Sequence, residues 1–110
     1  MSKHSFKNVN YFDAAVSADV QTPAIDCYMM DTASFIMSFG IGVACSPIVE
    51  GSIDGVEFVD IGVVIEPVDG VAAANRFASF PVNLSYVRIN LSSVTGSGQV
   101  TIKAQAKGFA

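Results

Sequence analysis

In the segment YVRINL, Val87, Ile89 and Leu91 share one parity, and Tyr86, Arg88 and Asn90 share the other. QVTIKAQAK repeats the pattern. Val100, Ile102, Ala104 and Ala106 take the apolar positions, and Gln99, Thr101, Lys103, Gln105 and Lys107 take the polar ones. A period of two marks a strand with one buried face and one wet face. Two packed antiparallel sheets give every such strand a dry side. SSVTGSG, between these segments, predicts a turn.

Upstream the pattern is less regular. Pro23 cannot donate to a ladder, and Ala24 to Met30 then predicts a strand that ends at Asp31-Thr32. SFIMSFGIGVA, Ser34 to Ala44, reads as a core strand interrupted by Gly40 and Gly42. Those glycines predict a bulge or a close backbone approach, and they disfavour a buried helix. Ile48 to Ser52 and Val56 to Ile65 flank SIDG, where Asp followed by Gly predicts a hairpin tip. Pro67 to Gly70 predicts a further turn, and VAAANRFASFP at 71–81 is left open between a short helix and a packed loop. Residues 1–19 carry neither a period of two nor one of 3.6, which predicts an extended N-terminal arm. About seven strands with turn signals at short intervals predict an all-β protein. The expected fold is an antiparallel β-sandwich, jelly-roll-like, with an arm at 1–19 and one domain at 20–110.

The 110 residues suffice for one core. Apolar residues make up 51% and charged residues 15%, where about 25% charge is usual. Either another chain covers apolar surface or the core is unusually well filled. No run approaches the ~20 apolar residues of a membrane span. MSKHSFKNVN lacks an apolar stretch, so the expectation is a chain made in the cytoplasm without a secretory signal. Charge falls in blocks. Residues 1–10 hold Lys3, Lys7 and His4; 11–70 hold all ten acids and no Lys or Arg; 71–110 hold Arg76, Arg88, Lys103 and Lys107 and no acid. Opposite charges favour cross-strand pairing, so C-terminal strands are expected beside central ones, within a copy or between copies. The net charge of −4 argues against a nucleic-acid partner.

Candidate chemistry is sparse. SIDG lacks the spacing of a phosphate loop, and no lysine lies between Lys7 and Lys103. Asp54, Glu57 and Asp60 are three apart, which on a strand alternates faces and cannot close around one calcium ion. His4 is the only histidine, and it stands in the irregular first segment, a poor place for a catalytic base. Cys27 and Cys45 are expected as free, buried thiols, since neither CxxC nor a second histidine suggests a metal. A two-carboxylate glycosidase needs a long cleft, for which this chain offers little room. The expectation is therefore no catalysis, no cofactor and no metal. Tyr86, Arg88 and Asn90 form a candidate row for a sugar or a peptide edge. The plainer alternatives are a solvated face or one that pairs with acids on the next strand. The absence of Trp disfavours sugar stacking.

EGSIDGVEFVDIG, YVRINL and TGSGQVTIKAQAKG together resemble small β-sandwich virion proteins of tailed bacteriophages. In these an xGSxDGxxF hairpin precedes a YVRxxxxxxxGxGxVTxxxxxKG ending. The resemblance spans roughly residues 46–108. It is shared by capsid decoration (cement) proteins and by neck and fibre modules. Discoidin-like carbohydrate-binding jelly rolls have a similar S-DG-x-aromatic … YVR arrangement but are longer; here Phe58 takes the aromatic place.

The resemblance implies a structural virion protein on the capsid surface, synthesised in the host cytoplasm, that clamps neighbouring capsid subunits. The implied partners are the major capsid protein and copies of itself, with no nucleic acid and no membrane. Lys3, His4, Phe6, Lys7, Tyr11 and Phe12 are then the candidate contacts, with aromatic anchors and lysines facing acidic capsid groups. Tyr86, Arg88 and Asn90 are a second candidate interface. The alternative is a binding module of a neck, tail fibre or receptor-binding protein.

Overall fold

A computed structural model describes the backbone of residues 4–28 and 30–109 and the side chains of 12–28 and 30–108. Among the described residues nine strands form two antiparallel sheets. They are β1 (His4–Val16), β2 (Val20–Gln21), β3 (Ile25–Asp26), β4 (Thr32–Phe39), β5 (Val43–Ser52), β6 (Val59–Asp60), β7 (Ala74–Pro81), β8 (Tyr86–Gly96) and β9 (Gly98–Phe109). The first sheet has the order β1-β9-β4-β7; the second has β2-β8-β5-β6, with β3 also on β8. No helix occurs among the described residues. The all-β sandwich is as expected.

Consecutive strands mostly change sheets. The chain crosses from one layer to the other after β1, β3, β4, β6, β7 and β8, and the connection from β5 to β6 stays in its own sheet as a hairpin. The corner between β8 and β9 is tighter than the turn expected over SSVTGSG: Ser92 to Gly96 continue β8, and only Ser97 separates it from β9. SFGIGVA is a second corner: the expected single strand at 34–44 is β4 and the start of β5, parted at Gly40–Gly42. The corners abut. Gly42 has φ 106° and Gly96 has φ 70°. A Cβ on Gly42 would strike the Ser97 carbonyl, and one on Gly96 the Gly42 carbonyl. Close backbone approach accounts for both glycines.

The parities read from the sequence hold. Val87, Ile89, Leu91, Val100 and Ile102 are buried between the sheets, joined by Phe35, Met37, Phe39, Val43 and Val49. Each such side chain contributes about 1.5–3 kcal/mol on leaving water. Phe35 stacks on Phe80 with ring centroids 6.0 Å apart.

Other expectations change. Residues 4–16, expected in an irregular arm, are extended but form edge strand β1, in register with β9 from His4↔Phe109 to Val16↔Gly98. Lateral pairing supplied the order that no periodicity announced. Of the expected 24–30 strand, Ile25–Asp26 alone is strand among the described residues; Cys27 still gives its amide to the Ser85 carbonyl, and Asp26 Oδ1 then accepts the Tyr28 amide and turns the chain. Of Val56 to Ile65 only β6 pairs as a strand; the rest runs along β5 with Ile61, Val63 and Ile65 against the core. Gly62, at φ 83°, gives its amide to Asp60 Oδ1 and so leaves the ladder. Residues 74–81 are neither helix nor loop but β7, with Ala78 and Phe80 buried and Phe77 outward. Arg76 ties this strand to the opposite layer. Its Nε donates to the Glu66 carbonyl and its Nη2 to the Pro67 carbonyl, each at 2.9 Å.

Candidate functional site

β5 and β8 place Glu50 directly opposite Arg88. Arg88 Nε donates to Glu50 Oε1 at 2.8 Å. Asn90, two residues on, donates through Nδ2 to Glu50 Oε2 at 3.2 Å, and Gln21 Nε2 donates to Asn90 Oδ1 at 3.1 Å. Phe58 lies over the guanidinium, with Arg88 Cζ 3.9 Å from the ring centroid. Tyr86 packs under the next loop, where a Cβ on Gly55 would come within 3.2 Å of its ring. The row Tyr86, Arg88 and Asn90 is thus half-buried. The polar groups of Arg88 and Asn90 are engaged by Glu50, Phe58 and Gln21, which matches the reading as a face paired with acids. This ion pair also realises the expected contact between the acidic block and a C-terminal strand.

Phe58 is carried there by the SIDG turn. Ser52 is buried at the end of β5. Its Oγ donates to Asp54 Oδ1 at 3.0 Å and accepts the Gly55 amide at 2.9 Å. Asp54 Oδ1 also accepts the amides of Val56 at 2.8 Å and Glu57 at 3.0 Å. These donors, the two amides first, hold its carboxyl below the usual carboxylate range. The tetrapeptide is the tip of the β5–β6 hairpin, with its donors turned inward on its own aspartate.

The other aspartates are used similarly. Asp26, Asp60 and Asp69 each cap the amide two residues on, Asp19 accepts the Val94 amide, and Asp13 accepts from Gln99 and Thr101. Among the described residues no three His, Cys, Asp or Glu side chains converge as a metal site. Cys27 and Cys45 are buried and are not joined in a disulfide. Burial pushes the Cys45 thiol up, against a smaller lowering by Arg76, so it is a poor nucleophile.

The remaining sequence-derived candidates do not come together with that row. Lys3 and the side chains of His4, Phe6, Lys7 and Tyr11 lie outside the described residues. The β1 register sets Phe6 opposite Lys107 and Lys7 opposite Ala106 on β9. Phe12 is partly buried against the core and is not an outward anchor. Three open depressions of 260, 270 and 280 Å³ border Leu84, the SIDG turn and the 60–65 segment. Each falls below the ~300 Å³ at which small-molecule pockets begin.

Apolar side chains instead stand on the surface. Phe77 is 64% exposed and its register partner Ile36 is 53% exposed. Ile53 and Val56 project from the hairpin tip, and Ile41 and Val71 from the opposite end. Sequence reading missed Phe77 because 71–81 was not taken as a strand. The signal was present: Asn75, Phe77 and Ser79 share a parity, opposite Ala78 and Phe80.

No family model matches the chain, and no curated protein matches it. Its fold is similar to the crystal structure of the SPBc2 prophage-derived protein YomS, with TM-score 0.72 and 14% identity, over 96% of each chain.

Proposed function

We propose that this protein is a structural component of a tailed-phage virion, of the capsid decoration type, which adds to the assembled head and clamps neighbouring subunits. The observation that carries the reading is the end-to-end likeness in fold to a prophage-derived protein. The virion-like pattern across residues 46–108 supports it independently. So does the distribution of groups. Polar side chains on the β5–β8 face are tied to one another, aspartates hold turns, and apolar side chains are left outward. Such a surface suits contact between subunits, where a buried apolar centre within a polar rim gives affinity. Since Phe12 is spent on the core, the grip on the shell is assigned to Lys3 and to the β1 residues His4, Phe6, Lys7 and Tyr11. A protein that binds only the assembled shell stabilises that shell by mass action.

Co-sedimentation tests this. Purified protein is mixed separately with assembled heads, with tails and with unassembled capsid subunits of the phage that encodes it. Saturable pelleting with heads alone, together with raised thermal resistance of the heads, is expected. Pelleting with tails would favour a neck or fibre module, and pelleting with none of them would overturn the reading.

A further inference from the structure

Among the described residues strand β7 ends the four-stranded sheet, with β4 on one side and no strand paired on the other. An unpaired edge is a template for another strand, and proteins usually blunt it with lysine, proline, a bulge or brevity. Three of the other edge strands follow that rule: β2, β3 and β6 are two residues long. β1 carries Lys7 and Asp13 in its sequence and a register shift between Asn10 and Phe12. β7 has eight residues, and its outward row is Asn75, Phe77, Ser79 and, at its very end, Pro81. Its single charged residue, Arg76, turns its guanidinium onto the carbonyls of Glu66, Pro67 and Asn75. Beside the row, β4 presents Ser34, Ile36 and Ser38. The strip is thus uncharged and centred on an exposed aromatic.

The rest of the surface discourages self-contact. Asp19, Asp31, Asp54, Glu57, Glu66 and Asp69 are exposed on the loops, and Asp26 and Asp60 on the short strands β3 and β6, in a chain of net charge −4. Two copies meeting through those loops would set like charges together. A neutral strip in such a molecule is where a second copy can approach without that cost.

We propose that β7 pairs antiparallel with β7 of a second copy across a two-fold axis, which joins two four-stranded sheets into one of eight. The engaged Asn75 carbonyl marks the edge side of the strand, so by alternation Phe77 and Ser79 present their backbone groups outward. Pro81 has no amide to offer. An axis at Ala78 sets Phe77 opposite the partner's Ser79 and uses the two residues whose groups are available. Phe77 and Ile36 of both copies then cover one another on the outer face. An isologous contact of this kind is self-complementary and closes at two copies. It deepens the self-association within the virion reading, yet the two fail separately, since a protein monomeric in solution could still pellet with heads.

The test is sedimentation velocity of the full chain over a wide concentration range, with amide hydrogen exchange at both extremes. A monomer–dimer equilibrium is expected, with the Phe77 and Ser79 amides slowed in the dimer. Phe77→Glu, at an outward position that leaves the core intact, should weaken dimerisation about 10-fold or more. Val56→Glu, at the exposed tip of the β5–β6 hairpin in the other sheet, should leave it unchanged. A monomer at every concentration, or a dimer insensitive to Phe77→Glu, overturns the proposal.

Discussion

Ser93 stands at φ 53°, in the left-handed region that side chains with a Cβ resist. It sits where β8 carries one residue more than β5, between the Ala44↔Thr95 and Ser46↔Ser92 pairs. The bulge releases the Val94 amide, which Asp19 accepts at 2.8 Å. Glycine fits that conformation at no steric cost, so Ser93→Gly should stabilise the protein by up to ~1 kcal/mol, read from urea midpoints. Asp54 shows the complementary case, a side chain that completes a turn. Its folded-state pKa is depressed, so its contribution is present above about pH 4 and lost as pH falls through the lowered value. Asp54→Asn should therefore lower the urea midpoint most near neutral pH, and the gap from wild type should narrow in acid.

Among the elements, the two glycine corners and the β5–β8 pair carry separate tasks. The corners let strands change layers with backbone against backbone. Gly96→Ala adds a Cβ against the Gly42 carbonyl at a positive φ, and should cost about 1–3 kcal/mol, visible as a lowered melting temperature with an unchanged spectrum of the folded state. The Glu50–Arg88 pair holds the outer face of the second sheet. Arg88 is 26% and Glu50 13% exposed, so the pair is screened less than a surface bridge. A double-mutant cycle with Glu50→Gln and Arg88→Met should give a coupling of about 1 kcal/mol. Coupling near zero would mean that the Phe58 stack, not the ion pair, holds Arg88 in place.

At the scale of the whole molecule, β1 decides how the first sheet ends. Residues 4–16 cover one side of β9 along its length. Deleting residues 1–12 strips most of that cover and uncovers a long edge on β9. The truncated chain should melt several degrees lower, with ~4–8 °C expected for each kcal/mol lost from a domain of this size. It should also aggregate more readily, checked by calorimetry and light scattering. The long β1–β9 pairing accompanies the elongated shape, 49 × 26 × 21 Å.

The strands at 86–91 and 99–107 were legible because each has one dry and one wet face, and alternation records that difference residue by residue. The hairpin at SIDG was legible because its turn is local. The class of fold followed from these. Three features were not legible, each for a long-range reason. β1 is ordered by β9, far along the chain, and leaves no period of its own. β7 lies at a sheet edge, where Phe77 can stand outward and blur the alternation. The role of Tyr86, Arg88 and Asn90 depended on which strand lay alongside: the sequence by itself determined that they share a face, and only the tertiary structure, by bringing Glu50 and Phe58 onto that face, decided that they are bound to their own chain. Alternation is a property of one strand, whereas partnership depends on how the sheets order their strands, and that order is settled by packing between residues far apart in the chain.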